Sequence, residues 1–300
     1  MHALTPFVLF GLVVCSCLAC FAQEPVSSSP LALDDPRLNE SSGIALSQRT
    51  PGILWTHNDS GDGPFVFALN EKGSVRGRFT LSGAFNFDWE DMASGISDAG
   101  VPVLYIGDIG DNLGIRGDLQ IYQIEEPAVK ASGKEVVEGE VGGVKIFRAS
   151  YPDGRHNAES LLCHPKSGQL FIITKTDDGQ CGVYAFPVKL SSQSVMQLTH
   201  LGNFRLPPLT RSGKRPIDNC RSTAACFSPE GDRVVVMSYS SLYEWSVHGN
   251  QTLGEALALK PIRIETPLMP QGEAVCYSRD GAHFWCTSER LPAHLYRIAK

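Results

Sequence analysis

The sequence predicts an all-β chain closed into a single β-propeller, and three observations carry that prediction. One hairpin pattern recurs five times at a spacing of roughly 50 residues, the signature of a propeller or solenoid. Each copy is followed by a third strand in which an aromatic residue precedes a bulky apolar one by two positions. The last copy ends at Lys300 without an outer strand, while a spare extended segment, Pro30–Leu38, stands ahead of the first.

Taken from the start, residues 1–22 hold an apolar run, Pro6–Ala22, and no Lys, Arg, Asp or Glu. The run is short, N-terminal and closed by small residues, so it reads as a secretory signal peptide and the chain as exported, periplasmic or extracellular. Cys20 offers a lipid-anchored alternative. Residues 23–30, with the Pro/Ser stretch Glu24–Pro30, read as a linker. Residues 31–300 form the propeller domain.

Its first strands start at Ser42-Gly-Ile-Ala, Glu90-Asp-Met-Ala, Glu159-Ser-Leu-Leu, Thr223-Ala-Ala-Cys and Glu273-Ala-Val-Cys. Second strands follow at Ile53–Thr56, Val103–Gly107, Leu170–Thr174, Arg233–Ser238 and His283–Ser288. The third-strand pairs are Phe67/Leu69, Tyr122/Ile124, Tyr184/Phe186, Tyr243/Trp245 and Tyr296/Ile298. Period-2 spacing puts both members of a pair on one face, against the next sheet. Fourth strands read at Gly77–Gly83, Val144–Tyr151, Leu198–Leu206 and Ile262–Leu268; the N-terminal segment supplies the fifth and closes the ring. The expectation is five four-stranded blades. A sixth blade is the alternative, through a hairpin hidden in Pro127–Gly143, and a β-sandwich with coincidental hairpins is the ordinary reading.

A net charge of −6 with no basic run or Arg/aromatic stripe argues against nucleic acid as a partner. No second apolar stretch approaches membrane-spanning length, and a monomer is expected. Six cysteines remain beyond the signal: Cys163, Cys181, Cys220, Cys226, Cys276 and Cys286. An even number in an exported protein permits disulfides without fixing their connectivity. Cys276 and Cys286 flank one turn and are candidates to face across it.

Because first and second strands are antiparallel, the start of one and the end of the other meet at the same end of the ring. This brings Ser42, Glu90, Glu159, Thr223 and Glu273 to one mouth. Three carboxylates in a narrow channel need protons or a cation. Glu90, Glu159, Glu273 and Asp108 are therefore the candidate metal ligands, for a divalent cation, Ca²⁺ before Mg²⁺, since hard oxygen donors suit it. The competing reading is a water-filled lining paired with Lys175, Arg116 or Arg221. His57, Asp59, Lys175 and Arg116 are the candidate catalytic groups: a base or water-orienting pair, and two cations for developing negative charge. Asn58, Asp88, Trp89, Asp91, Asp111, Asn112, Tyr239 and Glu289 are the candidate substrate contacts, with Trp89 either a lid or an inter-blade packing residue.

These residues sit in Glu40-Ser-Ser-Gly43, His57-Asn-Asp-Ser-Gly61, Asp88-Trp-Glu-Asp91 and Gly107-Asp-Ile-Gly-Asp-Asn112 followed by Arg116. That motif set resembles a family of exported, largely uncharacterised bacterial β-propeller proteins. Later elements fit as well: Tyr151-Pro-Asp-Gly before Asn157-Ala-Glu159, Lys175, Ser228-Pro-Glu-Gly, Gly272-Glu273 and Glu289. The family often carries Arg-Thr-Tyr where this chain has Met237-Ser-Tyr239, so an arginine is missing from the mouth. The resemblance implies the fold and the site, without a reaction.

The expected function is a metal-dependent hydrolase of the ester, lactone or phosphoester class, acting on a small molecule or envelope ligand at the mouth. Two alternatives stand beside it: a non-enzymatic recognition module with a structural cation, and a glycoside hydrolase using channel carboxylates with Trp89 as a stacking platform.

Overall fold

A computed structural model describes residues 1, 30–207, 220–267 and 269–300. The signal peptide, Cys20 and most of the linker lie outside the described residues. The chain forms a five-bladed β-propeller. A short strand β1 (Leu31–Ala32) precedes blade 1, built from β2 (Ser41–Leu46), β3 (Ile53–Asn58), β4 (Phe65–Asn70) and β5 (Val75–Leu81). Blade 2 holds β6 (Trp89–Ile96), β7 (Pro102–Asp108) and β8 (Leu119–Glu125). The chain then returns to the rim of blade 1 as β9 (Val137–Val141) before completing blade 2 with β10 (Lys145–Ser150). Blade 3 is β11 (Ala158–Cys163), β12 (Leu170–Thr174) and β13 (Gln180–Ala185), a two-residue edge strand β14 (Met196–Gln197) on blade 2, then β15 (Thr199–Arg205). Blade 4 is β16 (Ser222–Phe227), β17 (Arg233–Ser238), β18 (Ser241–Ser246), a helix α1 (Leu253–Leu257) and β19 (Ile262–Ile264). Blade 5 is β20 (Gly272–Tyr277), β21 (His283–Ser288) and β22 (His294–Ala299), with β1 as its outer strand.

Closure works as the spare N-terminal segment suggests. Leu31 pairs with Leu295 and Ala32 with His294. Leu33 extends the ladder to the Ala293 carbonyl at 3.0 Å, and the Asp34 carboxylate accepts the Val75 amide of blade 1 at 2.8 Å. One segment thus covers the edge of the last blade and fastens it to the first.

Pro127–Gly143 holds no hairpin. It delivers β9, which runs parallel to β5, Gly77 facing Val137 through Leu81 facing Val141. The long connection is a rim strand, so the six-bladed alternative falls.

Five apolar cores fill the gaps between neighbouring blades, and each contains one of the aromatic/apolar pairs. Phe67 and Leu69 pack between blades 5 and 1, Tyr122 and Ile124 between 1 and 2, Tyr184 and Phe186 between 2 and 3. Tyr243 and Trp245 fill the gap between blades 3 and 4, and Tyr296 and Ile298 that between 4 and 5. A two-residue period on a strand sends both side chains to one face, and the facing sheet removes them from water.

The cysteines serve packing. Cys276 pairs with Trp285 and Cys286 with Val275, so neighbouring register places the two thiols on opposite faces of blade 5. Cys276 lies in the core between blades 5 and 1, Cys286 in that between 4 and 5. The expected cross-turn pair therefore does not form, and all six thiols are free. Among the described residues no helix is long and apolar enough to cross a membrane.

Candidate functional site

The inner strands β2, β6, β11, β16 and β20 line the central channel, each packing against the next around the ring. All five carry a β-bulge at their mouth end. The ladder shifts between Ser41 and Gly43, Trp89 and Met92, Ala158 and Ser160, Ser222 and Ala224, and Gly272 and Ala274. The residues inside these bulges are Ser42, Glu90 with Asp91, Glu159, Thr223 and Glu273, the five positions that the repeat aligns. An unpaired residue at a bulge is turned out of the strand's alternation. That local defect, repeated five times, aims the acids at the axis.

Blade 2 differs because its bulge takes two residues, and they part company. Glu90 joins the mouth. One oxygen from each of Asp59, Asp88 and Glu90 lies within 4.8 Å of the others. Asp59 comes from the turn after β3, Asp88 from the loop entering β6 and Glu90 from the bulge. Gly110 makes the approach possible: a Cβ there would lie 2.3 Å from Asp88 Oδ2 and 2.4 Å from Glu90 Oε1. The glycine of Asp108-Ile-Gly-Asp-Asn is required by crowding, since any side chain would displace both carboxylates.

The remaining acids continue round the mouth. Glu159 is ion-paired with Lys175, whose ammonium sits 5.1 Å from the centre of the Tyr239 ring. Glu273 Oε1 accepts the Gln271 side-chain amide at 2.7 Å, and Gln271 also donates to Glu289. The second oxygen of Glu273 is buried with no partner.

Electrostatics follow from this crowding. Burial, then the charges of Glu159, Asp59 and Asp88, holds the Glu90 carboxyl well above its ordinary range. Burial, then Glu159 and Glu289, does the same to Glu273. Burial and the neighbouring Asp59 push Asp88 up to about 6, and burial with Asp59 and Glu159 pushes Glu289 to about 7. Asp59 and Glu159 are raised mainly by burial, Glu159 even against its bond to Lys175. Burial opposes the charge of Lys175, but Glu159 and Glu273 outweigh it and keep the ammonium protonated.

Several residues singled out in the sequence lie elsewhere or are already engaged. His57 is fully buried; its Nδ1 meets the Asn58 carbonyl at 3.0 Å, its ring stands edge-on to Trp89 at 5.4 Å, and burial lowers its pKa to about 4. It is a neutral packing group beneath the mouth, without the exposure a general base needs. Trp89 is equally buried, packed on Tyr122 with its indole N–H on the Phe85 carbonyl at 3.1 Å, so it presents no face to a ligand. The Asn58 amide donates to the Arg37 carbonyl and to Asp62, both at 2.7 Å, which fixes the turn carrying Asp59. Asp108 is buried against Arg116 at 2.6 Å, a pair that supports the loop around Gly110, and it stands outside the close carboxylate trio. Asp111 accepts the Ile115 and Arg116 amides and so shapes the same loop, while Asn112 bonds Asn157 at 3.0 Å. Tyr239, Lys175 and Glu289 do reach the mouth.

Asp91 lies below it. Its Oδ1 accepts the Met92 amide at 2.8 Å, and Oδ2 accepts Leu161 of blade 3 at 3.0 Å and Ala225 of blade 4 at 3.3 Å. The carboxylate crosses the channel and ties three blades together. A belt of hydroxyls does the same at this level: Ser41 bonds Thr287 at 2.7 Å, Ser160 bonds Ser222 at 2.8 Å, and Thr223 bonds the Gly272 carbonyl at 2.9 Å. Sequence reasoning missed the belt and Gln271. The available signal was a hydroxyl beside three of the aligned positions, Ser41, Ser160 and Ser222, and a polar Gln ahead of Gly272-Glu273. Compared with family models and with curated proteins, the chain matches none.

Proposed function

We propose that the mouth binds a divalent cation, Ca²⁺ before Mg²⁺, on Asp59, Asp88 and Glu90, and that the exported protein is a metal-dependent hydrolase of the ester, lactone or phosphoester class. The observation that carries this reading is the gathering of three carboxylates, one from the turn after β3 and two from the entry to β6, around a glycine whose Cβ would fill the space between two of them. The orphaned Glu273 oxygen and the raised pKa values describe the same thing: a set of oxygens without enough positive charge. All-oxygen, partly flexible donor sets suit Ca²⁺.

A bound cation would polarise a carbonyl or phosphoryl oxygen and acidify a water. The chain's own groups supply the rest. Glu289, poised near neutrality at the half-open side of the mouth, can take a proton from water and return it to a leaving group. Gln271 orients both Glu289 and Glu273, and Lys175 places a fixed positive charge opposite the carboxylate trio.

A recognition module with a structural cation is the second reading. It is favoured by the commitment of Arg116 to Asp108 and Lys175 to Glu159, and by the burial of His57. The glycosidase reading loses its support with the burial of Trp89. Calorimetric titration of chelator-treated protein with Ca²⁺ tests the site: Glu90→Gln and Asp88→Asn should each weaken binding at least tenfold. Unchanged affinity in both would falsify it. A Ca²⁺-dependent rate on ester, lactone or phosphoester panels separates the hydrolase from the module.

A further inference from the structure

The mouth has a second character beside its acidity. Two loops of blade 2 carry four large apolar side chains into solvent: Phe85 is 67% exposed, Phe87 55%, Leu113 81% and Ile115 61%. The loops are stitched together, since the Gly110 amide donates to the Asp88 carbonyl at 3.2 Å and the Arg116 guanidinium lies 5.1 Å over the Phe87 ring. Phe87 adjoins Asp88 in the chain, and Ile115 adjoins Arg116. An apolar group of this size bordering a polar well marks a binding surface. Leaving it bare in water costs free energy that a ligand recovers.

The charge of the well says what kind of ligand. Among the described residues, Asp59, Asp88, Glu90, Glu159, Glu273 and Glu289 face one ammonium, Lys175, which Glu159 already holds; Arg116 is held by Asp108. A divalent cation reduces this negative charge without reversing it. Among the described residues no basic group at the well is left without an acidic partner to receive a phosphate dianion, whereas an uncharged carbonyl meets no repulsion. Resting on the hydrolase reading above, we infer that the mouth takes an electrically neutral carboxylic ester or lactone whose apolar chain lies on Phe85, Phe87, Leu113 and Ile115, and that phosphoesters are not its substrates.

Two measurements on the full protein test this. The first uses neutral 1-alkanols of four to ten carbons in titration calorimetry, a binding readout independent of metal and turnover. Affinity should rise roughly threefold to fourfold per added methylene and fall about tenfold or more for the longest alcohol in Phe87→Ser/Ile115→Ser, whose exposed positions spare the fold. Chain-independent binding, or binding untouched by the double substitution, overturns the apolar subsite. The second compares 4-nitrophenyl esters of two to ten carbons with 4-nitrophenyl phosphate in Ca²⁺. Rates rising with chain length and absent for the phosphate support the inference; faster turnover of the phosphate overturns it. Chain-dependent alkanol binding without turnover of any ester refutes the hydrolase reading and leaves the apolar subsite standing.

Discussion

Gly110 shows how a residue without a side chain can define a site. Its value lies in the 2.3 and 2.4 Å clearances that a Cβ would violate. Gly110→Ala should therefore weaken Ca²⁺ binding roughly tenfold or more as Asp88 and Glu90 are pushed apart, and because Gly110 is buried it should also cost about 1–3 kcal/mol of stability; calorimetry reads the first and denaturant unfolding the second. Asp91 makes the opposite point. With three amide donors to one carboxylate, Asp91→Asn turns a donating group toward N–H groups that need an acceptor. We expect a loss of about 2–4 kcal/mol in urea unfolding, the range for a buried charge-assisted set, with the mouth otherwise intact. An unaltered unfolding midpoint would remove Asp91 from its bridging role.

At the scale of the element, the bulge is the decisive feature, and it divides what was legible from what was not. Hairpin repetition and the two-residue spacing of pairs such as Tyr122/Ile124 located the blades, because alternation is written directly into sequence. The aligned positions Glu90, Glu159 and Glu273 were legible for the same reason. What a repeat cannot display is a bulge of two residues, so Asp91 was placed at the mouth beside Glu90 although the backbone sends it into the channel. His57 was misread because a polar motif says nothing of depth, and of the two readings of Trp89 the inter-blade packing one holds: both lie under the loop that makes the motif polar. Asp59 and Asp88 were recognised as mouth residues but given other roles, since their closeness to Glu90 depends on two loops meeting. Gly43, in the first bulge, gives a test at this scale. A Cβ there would come within 2.7 Å of both the His57 ring and the Met92 amide. Gly43→Ala should destabilise by about 1–3 kcal/mol through forced separation of β2 and β6, measured by denaturant unfolding.

For the whole molecule, closure and charge are the two properties under strain. Deleting residues 1–36 bares the edge of β22 and removes the Asp34 link to blade 1. A loss of about 1–2 kcal/mol is expected, a fall of roughly 2–8 °C in melting temperature for a domain of this size, with more aggregation through the open edge. The acidic mouth gives a pH signature. Glu289 has its pKa raised from 4.5 to about 7 on folding. The folded state thus holds a proton that the unfolded chain has released, so its contribution is full below about pH 4.5 and is lost as pH rises through 7. Metal-free protein should lose melting temperature across that window, Glu289→Gln should flatten the loss, and Ca²⁺ should offset it.

The carboxylate of Asp91, stretched from β6 to amides on β11 and β16, bars the axis partway down. Below it lies a cavity of about 270 Å³ whose lining includes Met92, Leu161, Cys163, Cys226, Tyr277 and Arg279. A ligand held by the acids at the mouth and one held in that cavity would therefore sit on opposite sides of Asp91, toward opposite ends of the inner strands.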